Sequence, residues 1–260
     1  MVGLETNNGQ RSGPMKRILV INPFGIGDVI FSLYLVEALR RSLPDAFIGF
    51  LCNERTEALV RMDTSINRTF VMNRDALRAL LKKNPILYWR ELKGMWDLIR
   101  DLRFDTVYDL SLGREFGFFS MMIGIKKRIG FDYKGRGLFL TQKRKLEGYA
   151  GKPVADIQSE LLNDGSVDDP AALPLSLAVS ESTKSEAKAF LKKDGIPDDR
   201  PILALAPGGG RSWGQNAIYK QWDAEYFAQV SNALNKSHPH LVCLMGDRSE
   251  EGLLRQVQSL

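Results

Sequence analysis

The stretch Lys16–Arg40, KRILVINPFGIGDVIFSLYLVEALR, decides how this chain folds. Ile18 to Ile21 form a short apolar run that meets a glycine-bearing loop, Asn22-Pro23-Phe24-Gly25-Ile26-Gly27. Asp28 then opens a segment in which Val29, Leu33, Val36 and Leu39 recur at spacings of three and four, as one face of a helix requires. The spacing predicts the first strand, loop and helix of an open α/β sheet, in which such loops line the binding crevice. Gly25 and Gly27 would line that crevice, and Asp28 at its mouth is a candidate for chemistry. An acid at a helix start also satisfies free N–H groups and the positive dipole end without any catalytic role.

The loop resembles a dinucleotide-binding fingerprint but departs from it. Gly25-Ile26-Gly27 supplies the first two glycines, yet Ile30 stands where a third small residue would allow close helix–strand packing. Glu54, just past the apolar run Phe47–Leu51, is placed to hold a ribose, which keeps a nicotinamide-dependent enzyme as an alternative.

An apolar content of 44% over 260 residues is enough for one large core or two modest ones. A formal charge of +5 biases the protein toward anionic partners. Residues 1–14, MVGLETNNGQRSGP, read as a disordered extension and not as a signal peptide, because they hold no apolar core. No apolar run reaches the length needed to span a bilayer. Cys52 and Cys243 sit in separate strand-like runs, so no disulfide framework is expected and a cytoplasmic location fits.

Strand-like runs recur at Phe47–Leu51, Thr69–Met72 and Thr106–Leu110. Between the last two, a helical stretch from Asp75 to Arg103 is expected to break at Asn84-Pro85. Its apolar set, Leu87, Leu92, Trp96, Ile99 and Leu102, reads as a core face. The polar residues that follow set the expected organisation: a first domain over 15–162, a linker over 163–180 and a second α/β segment over 181–260. In that segment Glu181–Lys193 is expected to be helical, Ile202–Ala206 a strand, Gln221–Leu234 a helix and Leu241–Met245 a strand.

The loop Gly208-Gly209-Gly210 leaves one of those strands and is followed by Ser212 and, further on, Lys220. Glycines let backbone N–H groups approach phosphate oxygens, and a lysine near a helix start adds a point charge. Three glycines alone also read as a flexible turn. Between Lys126 and Lys145 stand eight basic residues, Arg128 and Arg136 among them, against one acid, Asp132. That stretch reads as a solvated basic loop region or as a patch for an anionic acceptor. Its aromatics show no RNA-binding arrangement, so no nucleic acid partner is expected. His238 and His240 flank Pro239 without a metal-ligand spacing, so no metal is expected.

Five stretches, in order, resemble the ADP-heptose:lipopolysaccharide heptosyltransferases of glycosyltransferase family 9. The first is the Gly-Ile-Gly-Asp-Val run at Gly25–Val29. Phe104-Asp105-Thr106-Val107-Tyr108-Asp109-Leu110 resembles the family's aspartate-ended strand, and Ile125–Phe131 its "G-basic-basic-hydrophobic-G-aromatic" segment. Ala204–Gly208 resembles the opening of its second domain. Lys220-Gln221-Trp222 with Tyr226-Phe227 resembles its "K-x-W" helix start. The resemblance covers about residues 15–260.

That resemblance implies a GT-B-type α/β fold: a Rossmann-like N-terminal acceptor-side domain and a second Rossmann-like domain that holds the donor. The family's later acidic-Ser/Thr-Gly and His-x-Ala-Ala segment is absent here, so the second domain is expected to be incomplete and the enzyme truncated. The implied reaction is inverting, metal-independent transfer from a nucleotide-sugar such as ADP-heptose, with no cofactor, to an anionic glycan or glycolipid acceptor. Asp28 would act as general base. Gly208, Gly209, Gly210, Ser212 and Lys220 would cradle the diphosphate, while Gly246 and Glu250 resemble the segment near the donor's nucleoside. Gly25, Gly27, Arg128 and Arg136 would face the acceptor, with peripheral contact at the inner face of the cytoplasmic membrane. A nucleotide- or sugar-binding remnant without turnover is the non-enzymatic alternative.

Overall fold

Strand β1 (Arg17–Asn22) has every residue after Arg17 buried, and its alternate side chains enter two different cores. A strand covered on both faces loses the usual polar alternation, which is why Ile18–Ile21 reads as a continuous apolar run. The structure, a computed structural model of the 260-residue chain, describes residues 15–149, 151–162, 178–196, 200–209 and 218–260. The chain divides into two compact units, Met1–Ala178 and Val179–Leu260.

In the first unit β1 pairs in parallel with β2 (Phe47–Asn53) on one side and β4 (Thr106–Asp109) on the other. With β3 (Arg68–Met72), β5 (Lys127–Tyr133) and β6 (Gln142–Leu146) the sheet has six parallel strands in the order β3-β2-β1-β4-β5-β6. The chain builds outward from β1 to β3, then returns to the other side for β4. The loops after β1 and β4 therefore diverge, and a crevice opens between their carboxyl ends.

Helix α1 (Ile26–Ser42) buries Val29, Leu33, Val36 and Leu39, the four positions of the sequence pattern, against Ile18, Val20, Ile48 and Phe50. Truncating any one of the leucines to alanine would cost roughly 2–5 kcal/mol at such fully buried sites. Between β2 and β3 lies the short helix α2 (Glu57–Arg61). Helices α3 (Arg74–Lys83) and α4 (Pro85–Asp101) bridge β3 to β4. They separate at Asn84, whose side chain accepts from the Leu87 N–H while Pro85 takes the first helical position. Leu92, Trp96 and Ile99 of α4 pack on the second face of the sheet with Leu19, Ile21 and Phe70. Helix α5 (Glu115–Met122) joins β4 to β5, and α6 (Val154–Ser159) closes the first core through Ile157.

The reading of 126–145 as a basic loop region is corrected: β5 and β6 lie inside it. Strand β6, QKRKL, is exposed at all but its last residue and closes the sheet edge. Its pairing is made by backbone, and edge cations block further strand addition, so no apolar period marks it.

The second unit contains α7 (Glu181–Lys193), the parallel pair β7 (Ile202–Leu205) and β8 (Leu241–Leu244), α8 (Ala224–Ser237) and α9 (Glu251–Gln258). Helix α8 begins at Ala224, not at Gln221, and leaves Lys220 in a separate helical turn at 218–220. Among the described residues no helix is long and apolar enough to cross a membrane.

Candidate functional site

The crevice in the first unit is shaped by Asn22, the last residue of β1. Its side chain is buried, donates from Nδ2 to the Asp28 carbonyl at 2.9 Å, and accepts at Oδ1 from the Phe24 N–H at 3.2 Å. One amide thus fixes both arms of the turn. Gly25 is the N-cap residue of α1 with φ −79°, so its backbone is open to any side chain, and the Val29 N–H closes the first helical bond onto the Gly25 carbonyl at 3.0 Å.

Asp28 is the third residue of α1, exposed in the first turn. A Cβ placed on Gly25 would lie 3.9 Å from Asp28 Oδ2, so the carboxylate stands over the Gly25 backbone at the helix entrance. A Cβ on Gly27 would meet nothing within 4 Å. Neither glycine is demanded by local packing; together they leave open space beside the Asp28 carboxylate. Tyr149 lies within electrostatic reach: partial burial, then the Asp28 charge, then Tyr133, push its phenol above the usual range.

Asp109 ends β4 beside Ile21, on the other side of the crevice. Its Oδ1 accepts from the Ser111 N–H at 2.9 Å, and its carboxyl is driven up to about 6. Burial is the largest cause; hydrogen bonds from Ser111 and the Gly117 N–H oppose it, and the nearby Glu115 charge adds to it. Sequence reading passed over Asn22 and Asp109 as functional groups. The signal available was a polar residue closing an otherwise apolar strand, where burial forces it to find partners.

The two arginines expected to face the acceptor are separated by the fold. Arg136 sits in the exposed turn that follows β5, at the carboxyl edge, with its guanidinium 6.0 Å from the Tyr133 ring centroid. Arg128 pairs at the level of Val107 near the amino ends of the strands. Its guanidinium donates to the carbonyls of Phe139 at 2.7 Å and Ile125 at 2.5 Å, which clips the turn before β6 to the start of β5. Glu54, the residue suggested for a ribose, accepts from the Asn73 side chain.

In the second unit the two strands end side by side, with the Met245 N–H bonded to the Leu205 carbonyl at 2.8 Å. Gly208 follows one strand and Gly246 the other. The half-buried Glu250 carboxylate fills the space above both: a Cβ on Gly208 would collide with it, and one on Gly246 would lie 3.0 Å from its Oε2. That same oxygen accepts from the Asp247 N–H at 2.9 Å while Asp247 Oδ1 caps the Ser249 N–H, a reciprocal capping box. The fold therefore brings Gly208, Gly246 and Glu250 together at one strand edge. Gly209 continues the loop; Gly210 and Ser212 lie outside the described residues. Lys220 is exposed, and Trp222 just beyond it stacks on Tyr226 at 5.1 Å, fastening the turn to the first turn of α8. His238 and His240 bond to Ser237 and to the His238 carbonyl respectively.

Comparison with known proteins bears on both units. The sequence profile of glycosyltransferase family 9 (heptosyltransferase) matches residues 94–259. The lipooligosaccharide heptosyltransferase 2 of Haemophilus ducreyi is 22% identical, with 93% of this chain and 66% of that protein covered. Among solved structures, E. coli ADP-heptose lps heptosyltransferase II aligns with a TM-score of 0.66 at 22% identity, over 95% of this chain and 69% of the other. A family 9 glycosyl transferase from Veillonella parvula aligns with a TM-score of 0.70 at 20% identity, over 94% and 66%. These likenesses establish an α/β fold of the GT-B type, and this chain spans about two thirds of the relatives' length.

Proposed function

Because the chain belongs to glycosyltransferase family 9, the heptosyltransferase family, we propose that it transfers heptose from a nucleotide-linked donor, ADP-heptose, to a lipopolysaccharide-type acceptor, with inversion and without a metal. The observation that carries this reading is the position of Asp28, held by Asn22 over an open, glycine-walled entrance at the sheet's switch point. A carboxylate in that position suits a general base. Asp28 takes the proton of the acceptor hydroxyl as its oxygen bonds to the anomeric carbon. The bond from that carbon to the donor phosphate breaks from the opposite face, and ADP leaves with the electron pair.

Charge then accumulates on the departing diphosphate. The backbone of Gly208, Gly209 and Gly210, the Ser212 hydroxyl and the Lys220 ammonium would receive it. Glu250, tethered by its capping box beside Gly208 and Gly246, would accept from a ribose hydroxyl. On the acceptor side, Gly25 and Gly27 leave room and Arg136 offers a cation at the carboxyl edge. Arg128 would serve that side chiefly by bracing the turn between β5 and β6, since its Nε and Nη1 donate to backbone carbonyls. The acceptor is an anionic glycolipid met at the inner face of the cytoplasmic membrane.

Asp28→Asn tests the reading. ADP release in the presence of acceptor should fall by about 10²-fold or more while donor affinity and folding hold. Turnover within about tenfold of wild type, some 1.4 kcal/mol of barrier, would remove Asp28 from the role of base. Donor binding with no acceptor-dependent ADP release in the wild-type chain would favour a binding role without transfer.

A further inference from the structure

Helices α3 and α4 pack on one another, yet the turn that joins them is left bare. Helix α3 has no buried residue, and beside the turn Ile86 is 84% exposed, Trp89 56% and Leu81 43%. The buried face of α4 is formed by Leu92, Trp96 and Ile99, so Ile86 and Trp89 serve no core. The same turn is strongly basic. Arg78, Lys82, Lys83 and Arg90 lie between Asp75 and Glu91 with no acid among them. Of the four, Arg90 approaches Glu91 at 3.7 Å, while Arg78, Lys82 and Lys83 form no ion pair among the described residues.

We infer that the α3–α4 turn docks on an anionic phospholipid bilayer. Ile86 and Trp89 enter the headgroup layer, and Lys82 and Lys83 meet lipid phosphates. Protruding aromatic and aliphatic residues ringed by cations are what an interfacial contact requires: the apolar groups gain burial, and each cation is drawn to the negative surface. A second copy of the chain is a poor occupant. A two-fold contact sets the same patch against itself, and these cations would then face their own images. A bilayer supplies dense negative charge and an apolar layer that conforms to residues projecting from a turn. The inference deepens the reading of a membrane-linked acceptor by naming the surface that brings the protein to it. Vesicle binding is measured without turnover, so failure of one reading is distinguishable from failure of the other.

The test uses the full chain with vesicles of phosphatidylcholine alone and of phosphatidylcholine mixed with phosphatidylglycerol. Co-sedimentation is expected with the mixed vesicles only, weakened about tenfold or more by high salt and by Lys82→Glu with Lys83→Glu. Ile86→Ser with Trp89→Ser should abolish it, circular dichroism reporting that the fold is kept. Tryptophan fluorescence should shift to the blue on binding in wild type and not in Trp89→Phe, a readout that stands even if the double variants fold poorly. No binding to mixed vesicles, equal binding by the wild type and the turn variants, or a fluorescence shift that survives Trp89→Phe would overturn the inference. So would turn variants whose only effect is loss of concentration-dependent self-association or of capture by an acidic protein.

Discussion

The side-chain amide of Asn22 holds the main-chain carbonyl of Asp28 at 2.9 Å across the turn that joins β1 to α1. The residue that closes the first strand therefore sets where the first turn of the helix begins, and with it the position of the candidate base. Because Asn22 is fully buried, its donor and acceptor have no water to fall back on.

Asn22→Leu should consequently act on stability and placement together. Two partners at the edge of the turn, the Asp28 carbonyl and the Phe24 N–H, would lose their hydrogen bonds at roughly 0.5–1.5 kcal/mol each. Urea denaturation should show a loss of that order, whereas Asp28→Asn, an exposed change, should stay within about 0.5 kcal/mol of wild type. Equal stabilities for Asn22→Leu and wild type would mean that the turn is held by other contacts.

The six-stranded sheet was legible where burial writes a period into the sequence. Both-face burial of β1, β2 and β4 gave apolar runs, and one-face burial of α1 placed Val29, Leu33, Val36 and Leu39. It was illegible at β6, whose exposed lysines and arginine follow neither period, because an edge strand is specified by backbone pairing with its neighbour. The site divides in the same way. Asp28 and Gly208 occur in recognisable strings, but the use of Asn22 and Asp109 depends on what lies across the sheet. Arg128 looks like one cation in a basic run until its carbonyl partners are known.

Asp109 gives a pH prediction with a definite sign. Its carboxyl is pushed up to about 6 in the folded chain from the ordinary aspartate value of 3.8, so the folded state binds the proton more tightly than the unfolded one. Stability from this group is fully present below about pH 4 and is lost as pH rises through about 6. The shift corresponds to a change on the order of 3 kcal/mol across that window. Unfolding of Asp109→Asn, followed from pH 4 to pH 7, should lack this contribution, so the difference curve between variant and wild type slopes only over that window. A flat difference curve would place the Asp109 titration elsewhere.

Lys220 should distinguish phosphate from nucleoside. If its ammonium meets the donor's diphosphate, Lys220→Ala should weaken ADP by roughly 1.5–3 kcal/mol, about ten- to hundredfold, and leave adenosine nearly untouched. Calorimetric titration of both ligands measures the contrast. Equal losses would show that Lys220 shapes the turn at 218–220 without contacting phosphate.

Gly208 and Glu250 should behave as one unit. The Glu250 carboxylate occupies the space a Cβ on Gly208 would need, and its retreat is restrained by the 2.9 Å bond from the Asp247 N–H. Gly208→Ala must therefore displace the carboxylate, break the capping box and loosen the start of α9, at a cost of about 0.5–2 kcal/mol by analogy with other lost caps. Glu250→Ala removes the same cap directly but leaves room for the new methyl. In the double variant the collision is gone, so the two losses should not add. A double-mutant cycle read by urea denaturation should give a coupling of at least about 0.5 kcal/mol, with the pair more stable than the sum of its single variants predicts. Strict additivity would mean that the glycine and the glutamate do not share the space between the two strand ends, and it would also remove Glu250 from its proposed place beside the donor's ribose.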